Sequence, residues 1–141
     1  MANRFVLNET SYHGKGAIKE IVNEIKARGF GKVLVCVDPD LIKFGVAAKV
    51  TDLLDQAKIP YEIFSQVKAN PTVANVQAGV AAFKASKADA IVAIGGGSAM
   101  DTAKGIGIII ANPEFADVVE KIQGVKRRLW EFIDVETKVF M

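Results

Sequence analysis

The sequence is poor in the residues that most often carry chemistry by themselves. Among 141 residues there is one cysteine, one histidine and one tryptophan. A lone cysteine, Cys36, excludes an internal disulfide and suits a reducing compartment. It stands in an apolar run, so a buried, inert thiol is expected there rather than a nucleophile. A lone histidine, His13 in "SYHGKGA", makes no metal site, because iron or zinc takes about three or more converging protein ligands; beside glycines it reads as a loop residue. Neither sign of charge dominates. Lys and Arg number 18 against 16 Asp and Glu, a net charge of +2, too little to point to nucleic acid. The opening "MANRFVLNET" lacks the apolar core of a signal peptide. The longest apolar stretch, around "GIGIIIA", is too short to cross a bilayer. No membrane association and a cytoplasmic location are therefore expected.

What remains is a chain in which half the residues are apolar and 24% are charged, as in one ordinary globular domain. Its patterning alternates. A short strand candidate, "RFVL" at 4–7, precedes an amphipathic helix at 16–29 with Ile18, Val22 and Ile25 on one face and Gly29 as its stop. "KVLVCVD" at 32–38 is apolar on both faces, as in a strand buried between two layers. Residues 39–58 read as helix interrupted near Gly45, 61–65 as strand, 71–86 as helix, 89–94 as a second doubly apolar strand, 98–112 as helix weakened by Gly105 and Gly107, and 113–123 as helix. Strands alternating with helices of this length predict an α/β fold of Rossmann-like type, a mostly parallel sheet with helices on both faces.

Three strands end in the same grammar: Asp38 before Pro39, Asn70 before Pro71, and "GGGS" at 95–98. Asp, Asn and Ser are N-cap residues and Pro suits the first helical position. In a parallel sheet all three helix starts share one edge, the edge at which open α/β sheets bind ligands. Unpaired N–H groups and a partial positive charge there suit phosphate. Gly95, Gly96 and Gly97 either permit a tight strand-to-helix turn or let a pyrophosphate approach the backbone. The loop is not the usual dinucleotide fingerprint, since Met100 stands where a third spaced glycine belongs, nor is it a Walker loop. Ser98 and Asp101 match a capping box, which predicts a capping role for Asp101. Lys104, one turn on, is either a phosphate contact or a solvated lysine. Asp38 is open to two readings that are compatible: an N-cap, or an acceptor for an adenosine ribose that repels a 2′-phosphate.

Taken together, these residues resemble the iron-containing alcohol dehydrogenases. The resemblance rests on "GGGSAMDTAK" (95–104), "VCVDPDL" (35–41), the "NPT" at 70–72 and "GKGA" (14–17). "MANRFVLNET" and "NPEFADV" (112–118) resemble the branch that includes lactaldehyde reductase, also called propanediol oxidoreductase. The likeness implies an NAD-binding domain over residues 1–124, with Asp38 and Asn70 at the adenosine end, Gly96, Gly97 and Ser98 at the pyrophosphate, and NAD preferred over NADP. It implies a whole enzyme that interconverts small alcohols or diols and aldehydes, and a homodimer. Residues 125–141 depart from the family, and the helical domain that carries its iron is not in this sequence. No catalytic or metal-binding residue is therefore assigned, and this chain is expected to hold no iron and to be inactive alone. The other reading is a non-catalytic module that binds a nucleotide or a partner.

Overall fold

The computed structural model describes residues 12–69 and 71–112 and the backbone of 139–140. The strand expected at 4–7, the helix expected at 113–123, Asn70, and the boundary at 124 with nearly all of the tail beyond it lie outside the described residues.

The central element is strand β1 (Val33–Val37), every residue of which is buried. Its alternate side chains feed two cores, which is why the run is apolar without interruption. Val33, Val35 and Val37 point to a layer made by helices α1 (Glu20–Ala27) and α3 (Val46–Gln56), among Ile21, Ile25, Val50 and Leu54. Leu34 and Cys36 point the other way, to helices α4 (Val73–Ser86) and α5 (Gly97–Ala111), among Ala99, Ala103 and Ile106. Each fully buried aliphatic side chain of this set contributes about 1.5–3 kcal/mol of transfer free energy.

Strand β2 (Tyr61–Phe64) flanks β1 on one side and β3 (Ala90–Ile94) on the other, both parallel to it. A two-residue strand β4 (Val139–Phe140) lies parallel beyond β3, so the order is β2-β1-β3-β4. The sheet is the parallel, doubly covered one that the alternation of elements predicts.

Breaks fall where the backbone demands glycine. At the end of α1, Gly29 takes φ +73°. Its N–H reaches the Lys26 carbonyl and the Phe30 N–H the Ile25 carbonyl, a Schellman closure. A short helix, α2 (Pro39–Lys43), is divided from α3 by Gly45 at φ +77°, the interruption expected near that residue. Gly105 has a different use from the weakening expected of it. A Cβ there would lie 3.0 Å from Val76 Cγ2, and one on Gly79 would lie 2.6 Å from Ile106 Cγ1. These two glycines let α4 and α5 approach closely.

A switch point with one open helix start

Chain order and sheet order together place a crevice. After β1 the chain turns through α2 and α3 to β2 on one side; after β3 it enters α5, and β4 lies beyond β3 on the other side. The helices that follow β1 and β3 pack on opposite faces of the sheet. The loops leaving these adjacent strands therefore diverge at their carboxyl ends, the switch point at which such sheets bind ligands. Register sets what meets there. Val37 pairs with Ile94, so Asp38 and Gly95 come next, side by side.

Gly95 turns the chain at φ +136°, a conformation that side chains rarely adopt. A Cβ on it would press on Ala99 Cβ at 3.1 Å and Leu41 Cδ1 at 3.3 Å and stand 3.9 Å from Asp38 Cβ. Gly95 thus brings the first loop and the third into contact. Gly96 and Gly97 differ. Neither has positive φ, and among the described residues a Cβ on either meets nothing within 4 Å. Packing and backbone conformation explain the first glycine and leave the next two unexplained.

Asp38 is half-buried and is the N-cap of α2, as its place before Pro39 predicts. Its Oδ1 accepts the Asp40 N–H at 2.9 Å, and one carboxylate oxygen suffices for that. Two other expected caps differ. The N-cap of α4 is Thr72, not Asn70, so Pro71 is not its first helical residue. Thr72 Oγ1 accepts the Asn75 N–H at 3.3 Å, and Asn75 Oδ1 accepts the Thr72 N–H at 3.1 Å. That reciprocal pair outcompetes a cap two residues earlier. The N-cap of α5 is Gly96, not Ser98, and no side chain caps it. The tight turn at Gly95 starts the helix two residues early, so Ser98 lies within the first turn. Asp101 is then too far along to close a capping box and is exposed.

The outcome is a helix start whose N–H groups at Gly97, Ser98 and Ala99 receive no side-chain cap, on exposed glycines beside a carboxylate. Such a start suits an anion, and the bare backbone at 96 and 97 admits one closely. Of the residues expected at the site, Asp38, Gly96, Gly97 and Ser98 share this edge, while Asn70 lies outside the described residues. Thr102 was not foreseen. It is wholly buried, and its Oγ1 donates to the Ser98 carbonyl at 2.8 Å. The available signal was a threonine one turn after Ser98 in a helix otherwise rich in Ala, Gly and Ile. Cys36 is buried as expected, and burial pushes its thiol pKa up to about 12.

Residues 8–139 match the sequence model of the iron-containing alcohol dehydrogenases. The chain belongs to that family. It is 50% identical to the lactaldehyde reductase of Escherichia coli K12 over 118 residues, which are 84% of this chain and 31% of that enzyme. Its fold matches a crystal structure of 1,3-propanediol oxidoreductase with a TM-score of 0.75 at 33% identity, over 79% of this chain and 29% of that one. It also matches the sulfoacetaldehyde reductase of Bifidobacterium kashiwanohense, solved in complex with NAD+, with a TM-score of 0.68 at 25% identity, over 81% of this chain and 29% of that one. The chain thus spans about a third of the length of these family members. Iron belongs to the family by its name. Among the described residues no group of three or more His, Cys, Asp or Glu side chains is placed to hold a metal ion, so these residues do not fit an iron site. Nor is any described helix long and apolar enough to cross a membrane.

Proposed function

We propose that this chain is the NAD-binding part of a lactaldehyde reductase-like, iron-dependent alcohol dehydrogenase that interconverts small alcohols or diols and aldehydes. The observation that carries the reading is the pairing at the switch point: an uncapped, glycine-started α5 beside Asp38. The pyrophosphate would sit against Gly96, Gly97 and Ser98, taking N–H groups that no side chain claims. The adenosine ribose would sit at the Asp38 carboxylate, with Asn70 at the same end. A 2′-phosphate would meet the Asp38 charge, so NAD is preferred over NADP. The binding domain is taken as residues 1–124 and the tail as 125–141. Kinship extends the proposal to a homodimer in the cytoplasm.

One observation favours a second reading, a module that binds a nucleotide or a partner without chemistry: the described residues supply no metal-gripping group. Hydride transfer to an aldehyde needs the developing charge on oxygen to be stabilised, and nucleotide binding by itself does not do that.

Calorimetry of the 141-residue chain with NAD and NADP tests the binding claim. Binding of NAD with weaker binding of NADP is the expected result, and no heat with either nucleotide would remove the proposal. Absorbance of NADH formed from 1,2-propanediol with added ferrous iron tests the chemistry. No turnover is expected of this chain alone, and metal-dependent turnover lost in Gly97→Val would show that it carries the reaction by itself.

A further inference from the structure

The open start of α5 has no cap above it, so whatever fixes its donors acts from below. Two buried side chains from different elements reach carbonyls of that first turn. Thr102 Oγ1 donates to the Ser98 carbonyl at 2.8 Å, and Cys36 Sγ, on β1, donates to the Ala99 carbonyl at 3.7 Å. Both residues are 0% exposed. The threonine is the informative one. Alanine is the better helix former, and a hydroxyl bonded back to the i−4 carbonyl tends to bend a helix rather than stabilise it. A buried hydroxyl in an apolar helix therefore gains little for the fold.

What the hydroxyl does act on is one peptide unit. The Ser98 carbonyl and the Ala99 N–H belong to the same peptide, and the Ala99 N–H is one of the donors at the open end. A second hydrogen bond onto the carbonyl polarises the peptide and strengthens donation from its N–H. It also resists rotation of that peptide plane. We propose that Thr102 is a positioning residue for the anion-binding turn: through the Ser98 carbonyl it aims and polarises the Ala99 N–H toward the phosphate group of a nucleotide. This rests on the nucleotide-binding reading for its ligand, and on the hydrogen bond alone for its effect on Ala99.

The experiment compares Thr102→Val, which keeps the shape and removes the hydroxyl, with Thr102→Ser, which keeps the hydroxyl, both in the 141-residue chain. Two readouts are taken: NADH affinity by fluorescence titration, and the chemical shift and exchange rate of the Ala99 amide by NMR without nucleotide. Thr102→Val is expected to bind NADH roughly three- to tenfold more weakly, with an upfield Ala99 amide and no matching loss of melting temperature. Thr102→Ser is expected to restore both. A folded Thr102→Val with an unchanged Ala99 amide overturns the proposal, and so does parent-like NADH affinity. If the parent itself does not bind NADH, the functional reading fails, and the Ala99 amide still decides whether Thr102 acts on that peptide.

Discussion

Helices α4 and α5 both follow parallel strands and pack on the same face of the sheet, yet they meet the problem of unpaired N–H groups in opposite ways. The first turn of α4 is closed by its own chain: Thr72 and Asn75 exchange hydrogen bonds, and Asn75 Nδ2 donates to the Gln66 carbonyl at 3.2 Å. The cap thus claims the Asn75 N–H, the third donor of the helix, and the Thr72 N–H before it. The first turn of α5 begins at a glycine that has no side chain to offer. A cap claims one of the donors of a helix start, and its omission leaves that donor for a ligand. The difference lies in two or three residues, since both helices are long and pack through apolar side chains on the same core.

Substitutions at the helix starts separate capping from ligand binding. The largest effect is expected from Gly97→Val. Its Cβ would enter space in which no neighbour among the described residues lies within 4 Å, so the fold should survive while nucleotide affinity falls about tenfold or more. Unchanged calorimetric affinity in a folded variant would return this glycine to a purely structural role. Asp38→Gly should come next. Glycine is nearly as good an N-cap as aspartate, costing only a few tenths of a kcal/mol, so the change isolates the carboxylate. The preference for NAD over NADP should shrink by about tenfold in competitive titration; a preserved preference would leave Asp38 as a cap and nothing more. Thr72→Ala should act on stability alone. Loss of the cap costs about 1 kcal/mol, a drop of roughly 3–5 °C in melting temperature for a chain of this size, with affinity unchanged. The smallest effect is the most diagnostic. Gly96→Ser would give α5 the cap that α4 already has. Stability should rise by a few tenths of a kcal/mol while NADH binding weakens, because the new hydroxyl competes for the same N–H groups. A variant that gains affinity would contradict the argument.

The layered fold was legible because its signals are local and redundant. "VLVCV" and "AIVAI" are apolar at every position, as strands covered on both faces are, and Gly29 and Gly45 punctuate helices through backbone conformation. The site edge was legible through Asp38 before Pro39 and the glycine run. The exact helix starts were not. Asn70-Pro71-Thr72 holds two cap candidates in series, and the choice was made by the reciprocal bond to Asn75, a partner type less familiar than Glu or Gln at that spacing. "SAMD" has the form of a capping box, but the form says nothing of where the preceding turn lets the helix begin, and the turn at Gly95, at φ +136° and with little room for a Cβ beside Leu41 and Ala99, decides that. Asp89 was also unread. Its carboxylate accepts the Gly31 and Lys32 N–H groups at 2.9 and 3.1 Å and ties the starts of β3 and β1 together at the opposite edge. Such a contact spans nearly sixty positions of sequence and leaves no local trace.

The lone cysteine has a practical consequence. Cys36 lies in the middle of the central strand, fully covered, with its sulfur against the first turn of α5. A thiol so placed is a clock built into the chain. A thiol-modifying reagent reaches it only when β1 and α5 part, so the labelling rate measures how often that seam opens. A molecule that binds only the closed form slows the clock in proportion to its occupancy. Binding at the open helix start can therefore be timed from the far side of the same turn, with neither a mutation nor an added dye.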